Sequence, residues 1–205
     1  MKMNFDAIIF DLGGVILNID YNKTINAFKN LGVQNFDSLY TQAQQNDLFD
    51  KLEVGSITEN DFYSEIKNLA ATKLSNQQIQ FAWNAMLLDL PLARIQFLRN
   101  LSKNTPIYLL SNTNSIHLSA FKSIIKNQHG DHDLLESIFI ETFYSHQIGF
   151  RKPNAEAFNL IIAKHQLNPS TTLFIDDSIQ HIEGAKKVGL QAHHLVNQDI
   201  TSLFT

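Results

Sequence analysis

Three short, unbroken apolar runs punctuate the chain, and each stops abruptly at compact polar residues. Ala7-Ile8-Ile9-Phe10 runs into Asp11-Leu12-Gly13-Gly14, Ile107-Tyr108-Leu109-Leu110 into Ser111-Asn112-Thr113-Asn114, and Leu173-Phe174-Ile175 into Asp176-Asp177-Ser178. Runs of this length, rich in Ile and aromatic residues and without polar alternation, predict strands buried on both faces, as in a parallel sheet. Helical periodicity lies between and after them. Residues 154–164, behind Pro153, put Phe158, Ile161 and Ile162 on one stripe. Ser178 is placed to cap a helix carrying Ile182, Ala185 and Val188, which Gly189 closes. Residues 191–196 read as one further strand. The alternation predicts an α/β fold of doubly wound, Rossmann-like type.

The stretch 17–89 differs, with amphipathic helical segments and almost no strand signal. Ser56-Ile57-Thr58-Glu59 and Ser75-Asn76-Gln77-Gln78 both have capping-box spacing. The expected organisation is a core of residues 1–16 and 90–205, interrupted after its first strand by a cap of four or five helices over 17–89. Phe81, Trp83 and Met86 lie at helical spacing in this insertion, as cap core or as a wall facing a substrate.

Composition narrows the class. Of 205 residues, 44% are hydrophobic and 18% charged, which suits a folded chain. The net charge of −4 offers no basic excess for nucleic acid or an anionic membrane. Cysteine is absent, which removes disulfides, Cys–zinc sites and thiol nucleophiles. The first apolar run is far shorter than a secretory or membrane-spanning segment, so the expected setting is the cytoplasm. The sequence is silent on oligomeric state.

Laid side by side, the three strands bring Asp11, Ser111 and the Asp176-Asp177 pair to one crevice, the usual ligand site of such sheets. Three carboxylates repel unless a cation or proton intervenes. The motif loops offer only oxygen ligands, and the matching hard ion is Mg²⁺. A Mg²⁺ ion held by few carboxylates shares its shell with phosphate. Ser111 and the backbone N–H groups after Asp11 and Ser111 can cradle phosphate oxygens, where Gly13 and Gly14 allow close approach. Lys152, before Pro153, can supply positive charge to a transferring phosphoryl group. The chemistry implied is phosphoryl transfer, with Asp11 as metal ligand or as nucleophile. The scattered histidines, His193-His194 included, read as structural.

Phe10-Asp11-Leu12-Gly13-Gly14-Val15, Leu110-Ser111-Asn112-Thr113-Asn114, Gly149-Phe150-Arg151-Lys152-Pro153 and Phe174-Ile175-Asp176-Asp177 resemble, in order and spacing, the four motifs of the haloacid dehalogenase-like (HAD) hydrolases. Asp20, nine residues after Asp11, and Arg151-Lys152-Pro153 make the chain most similar to the small helical-cap branch that contains bacterial α-D-glucose-1-phosphate phosphatases. The resemblance implies Asp11 as the nucleophile that becomes an aspartyl-phosphate. It implies Ser111 as the phosphate-binding hydroxyl with Asn112 beside it, and Lys152 as the charge-neutralising lysine. Asp177 would be a direct Mg²⁺ ligand, Asp176 one acting through water or orienting Lys152, and the Gly13 carbonyl would complete the metal shell.

One departure stands out. Most phosphatases of this superfamily carry a second Asp two residues after the nucleophile as general acid and base, a role typically worth roughly 10²–10⁴ in rate. Here that position is Gly13. A good leaving group, such as an anomeric sugar oxygen, would tolerate the loss; Asp20 or a cap residue could stand in; or turnover is slow. The expected function is Mg²⁺-dependent hydrolysis of a small phosphorylated metabolite such as a hexose 1-phosphate. The alternatives are a feebly active phosphate-binding regulator and a 2-haloacid dehalogenase.

Overall fold

The computed structural model describes residues 5–33, 36, 47–70 and 73–204. Strands β1 (Ala7–Phe10), β2 (Ile107–Ser111), β3 (Glu141–Tyr144), β4 (Thr172–Asp176) and β5 (Gln191–His194) form one sheet in the order β3-β2-β1-β4-β5. Every pairing is parallel. The three apolar runs are therefore neighbours, with β1 between β2 and β4. Alternate side chains serve opposite layers. Ile8, Phe10, Ile107, Leu109, Leu173 and Ile175 join one core, and Ala7, Ile9, Tyr108, Leu110 and Phe174 the other. Burial of both faces explains why these runs lack polar alternation.

β3 is absent from the expected strands. Glu141 and Thr142 are half-exposed and Ile140 before them is exposed, so no apolar run marks it. Its extended backbone is settled by pairing with β2, Tyr108 opposite Glu141 and Ser111 opposite Tyr144. β5 ends at His194, two residues short of expectation.

Four described helices, α1 (Tyr21–Asn30), α2 (Asp47–Glu53), α3 (Glu59–Leu69) and α4 (Asn76–Asn84), follow β1 and share a separate core built from Phe28, Phe49, Phe62, Ile79 and Trp83. Trp83 stacks on Phe49 with ring centroids 5.3 Å apart. Of the aromatic and Met set flagged here, Trp83 is core and Met86 is both buried and a cavity wall. Phe81 is neither, being 79% exposed. The Ser75–Gln78 capping box forms as expected. The one expected at Ser56 does not: Thr58 and Asp61 have the same spacing two residues later and cap α3, while the Ser56 hydroxyl donates to the Lys51 carbonyl.

The chain enters and leaves this helical stretch along paired segments. Asn18 N–H donates to the Asp89 carbonyl, Leu88 N–H to that of Asn18 and Asp20 N–H to that of Met86. Helices α5 (Leu92–Leu101), α6 (Ser115–His129) and α7 (Leu134–Ile138) cover one sheet face. After the short α8 (Ser145–Ile148), α9 (Ala155–His165) and α10 (Ile179–Lys187) cover the other. No helix among the described residues is long and apolar enough to cross a membrane.

Candidate active site

Sheet order decides where chemistry can gather. From β1 the chain builds outward to β2 and β3, then returns to lay β4 and β5 on the other side, so the winding reverses between β1 and β4. Carboxyl ends of strands at such a reversal leave a crevice. Asp11 follows β1 there, its N–H donating to the Ile175 carbonyl of β4, and Asp176 ends β4 itself.

Lys152 lies beneath both. Its side chain is 0% exposed, and its Nζ donates to Asp11 Oδ1 at 2.6 Å and Asp176 Oδ2 at 2.7 Å. The backbone that delivers it is clasped by one amide: Asn112 Nδ2 donates to the Lys152 carbonyl and Asn112 Oδ1 accepts the Lys152 N–H, both at 2.9 Å. The Asn112 side chain thus engages the chain that carries Lys152. Ser111, 3% exposed at the end of β2, lines the cavity beside it.

Asp176 is saturated. Besides Lys152 it accepts the Ser178 N–H at 2.8 Å, and His181 Nδ1 lies 3.0 Å from each of its oxygens. The Ser178 hydroxyl makes no cap bond, against expectation; the carboxylate before it takes its N–H instead. Asp177 lines the cavity, and its carbonyl faces His194 Nε2 at 2.9 Å. Gly14 is required beside it. At φ +76° a side chain is already disfavoured, and a Cβ there would lie 2.3 Å from Asp177 Oδ2.

Burial pushes the Asp11 carboxyl up, with Lys152 pulling against it and the Asp176 charge adding to it. At Asp176 burial acts the same way, but Lys152 and His181 outweigh it and hold that carboxyl at about 2. Burial alone would lower Lys152; Asp11 and Asp176 instead raise it, so it stays cationic. Asp11, Asp176 and Asp177 each offer an oxygen within 4.8 Å of the others. Three neighbouring carboxylates, two of them on one ammonium and all hard oxygen donors, fit a divalent cation of the Mg²⁺ type.

Above this floor the cavity leaves about 80 Å³ for water-sized groups. Gly13 is on its wall, in a tight loop where the Gly14 N–H donates to the Leu17 carbonyl. Asp20 sits at a helix start. Its Oδ1 accepts the Asn22 N–H as the N-cap of α1, and it is not among the residues lining the cavity. The helical cluster contributes Tyr21, Glu53 and Met86. Arg151 ties α2 to the loop of Lys152, through Nε to Glu53 Oε2 at 2.9 Å and Nη1 to Asp50 Oδ1 at 2.6 Å.

His181, Glu53 and a role for Arg151 were missed by the sequence reading, which held the histidines to be structural. His181 was findable: five residues after Asp176, on the first turn of α10, it can reach back to the strand end. Glu53 carries no local signal, because its partner is 98 residues away.

The model of the haloacid dehalogenase-like hydrolase family matches residues 5–189. A D-ribitol-5-phosphate phosphatase of Bacteroides thetaiotaomicron is 31% identical over 186 residues, which cover 90% of this chain and 88% of that protein. A sesquiterpene phosphatase of Aspergillus oryzae is 23% identical over 99% of this chain and 96% of its own. A HAD-family enzyme of Bacteroides thetaiotaomicron, solved as a point mutant with magnesium and inorganic phosphate, superposes with a TM-score of 0.89 at 31% identity, covering 98% of this chain and 99% of that one. With four motifs meeting at one crevice and a family match along nearly its whole length, the chain belongs to the haloacid dehalogenase-like hydrolases.

Proposed function

We propose that this protein is a Mg²⁺-dependent phosphomonoester hydrolase acting on a small polyhydroxylated phosphate through an aspartyl-phosphate. The observation that carries the reading is the buried ammonium of Lys152 shared by Asp11 and Asp176 beside the cavity lined by Asp177 and Ser111. A carboxylate poised on a cation, with phosphate-sized space above it, suits in-line attack on phosphorus. Asp11 forms the new O–P bond while the ester O–P bond breaks and its electron pair leaves with the alcohol oxygen. Water then attacks the acyl phosphate, releasing phosphate and the Asp11 carboxylate. Lys152 and the Ser111 hydroxyl hold charge on the phosphoryl oxygens.

Mg²⁺ in this reading is held by Asp11, Asp177 and the Gly13 carbonyl, with Asp176 behind, and supplies Lewis-acid neutralisation of the phosphate. The relative solved with magnesium and phosphate supports it. Residues 17–89 act as a cap over a core of 1–16 and 90–205, hinged at the paired segments and excluding water from the first step. The relative named for a pentitol phosphate supports a small polyhydroxylated leaving group; a hexose 1-phosphate is one such substrate. Phosphate release from p-nitrophenyl phosphate, lost with EDTA, restored by Mg²⁺ and absent in Asp11→Asn, is the expected result. Metal-independent release of halide from a 2-haloacid would overturn it.

Gly13 keeps a second reading in play, a phosphate-binding protein that turns over slowly. Hydrolysis of p-nitrophenyl phosphate but not of alkyl phosphates marks an enzyme limited by its missing acid. Hydrolysis of neither, with phosphate still bound, marks the binding protein.

A further inference from the structure

Among the described residues, the buried Asp, Glu, Lys and Arg side chains are Asp11, Lys152, Asp176 and Glu53. Three form the reaction floor. Glu53 is the fourth, 7% exposed, and it lines the same cavity from α2. Stability does not account for it there. It is the last residue of its helix, where the carbonyl ends disfavour an anion. Burying an ion pair costs desolvation that its attraction rarely exceeds. The packing of α2 is done by Phe49 and Leu52.

We propose that Glu53, held by Arg151, reads the hydroxyl groups of the departing alcohol, making this protein selective for monophosphates of polyhydroxylated alcohols. The proposal rests on the phosphatase reading of the same cavity. Arg151 fixes the carboxylate by donating to Oε2, and so couples its position to the loop that carries Lys152. A carboxylate beside a guanidinium offers strong acceptors next to strong donors, and each hydroxyl of a polyol is both donor and acceptor. Ile19, Met86 and Leu87 give the cavity an apolar wall suited to the carbon chain. An alkyl leaving group would cover the Glu53–Arg151 pair and return no hydrogen bonds, and stripping water from charge without replacing it is penalised. A site built to bond hydroxyls discriminates strongly against the analogue that lacks them.

The test compares kcat/KM for a hexitol 6-phosphate and for hexyl phosphate, two primary phosphate esters of equal chain length, with Mg²⁺ present. The unsubstituted protein is expected to prefer the hexitol ester by about 10²-fold or more. In Glu53→Gln and Glu53→Leu the ratio is expected to fall about tenfold or more, with Leu the more severe. Circular dichroism confirms which variants fold, and the comparison in the unsubstituted protein requires none. Equal turnover of the two esters by the unsubstituted protein, turnover of neither while p-nitrophenyl phosphate is hydrolysed, or a ratio unchanged within about twofold in the folded variants, overturns the proposal. If p-nitrophenyl phosphate is not hydrolysed either, the phosphatase reading itself has failed and this inference goes with it.

Discussion

Lys152 Nζ donates to Asp11 Oδ1 at 2.6 Å although 141 residues separate the two in the chain. The same ammonium reaches Asp176, so one buried cation holds together two carboxylates that would otherwise repel. The three residues behave as a unit, and their replacements should not add.

Lys152→Met removes the cation and leaves both carboxylates buried. Breaking a buried pair costs about 3–5 kcal/mol, and loss of charge stabilisation at a reacting phosphoryl group should cut turnover by at least about 10³-fold. Urea unfolding and p-nitrophenyl phosphate hydrolysis measure the two effects. Lys152→Arg should not rescue activity, because a larger planar cation has no room at a fully buried position.

Asp11→Asn keeps the shape of a side chain that packs at the edge of the core and removes its nucleophilic oxygen. Turnover should vanish while the far-UV circular dichroism spectrum is kept. Activity near that of the parent would show that Asp11 does not attack phosphorus.

Gly13→Asp tests the missing acid. A Cβ at Gly13 would sit 3.1 Å from Ile19 Cδ1, the mobile end of a half-buried side chain, so a small shift accommodates it. Hydrolysis of alkyl phosphates should rise at least about tenfold, within the range of a positioned acid or base. Gly14→Ala should act oppositely, since its Cβ meets Asp177 Oδ2 at 2.3 Å and its φ is positive. Loss of metal-dependent turnover is expected, and normal Mg²⁺ response in that variant would count against Asp177 as a ligand.

His117, which lines the same cavity, supplies a pH dependence separate from that of the carboxylates. Its Nε2 donates to the Trp83 carbonyl and its Nδ1 accepts from Asn114, which satisfies the neutral ring between α4 and α6. Burial, against the pull of the Trp83 carbonyl, lowers its pKa from 6.5 to about 4. Below about pH 6.5 the unfolded chain takes up a proton that the folded chain refuses. This contribution to stability therefore falls as the pH drops towards about 4 and is level below that, a total of about 3 kcal/mol. Urea unfolding at pH 7 and pH 4.5 should show a steeper loss in the parent than in His117→Gln; equal losses would mean that His117 does not titrate in this range.

Most of the floor of the site was legible in the chain because Asp11, Ser111 and Asp176 end or follow a buried strand, where a polar residue breaks an apolar run. Asp11, Ser111 and Asp176 are marked by that break, and Lys152 only by its motif. β3 was not legible, because half of its residues face solvent and its conformation is dictated by the strand beside it. The helical insertion was visible as helical periodicity, yet the residues it turns towards the cavity were not. Glu53 and Trp83 both lie on helices that follow the same amphipathic pattern. Which faces the reaction and which fills the core depends on how α1 to α4 pack together, and on a guanidinium from a remote loop.

Local physics is sufficient for part of this protein. Apolar runs and their polar stops determine the three central strands, the side of the sheet where chemistry lies and the ionic character of the floor. Distance decides the rest. The saturation of Asp176, the clasp of Asn112 on the Lys152 backbone and the burial of Glu53 against Arg151 each require hydrogen bonds between groups far apart in sequence. Such bonds form only after the sheet and the helical insertion have closed, because only then is water excluded and each partner brought within reach.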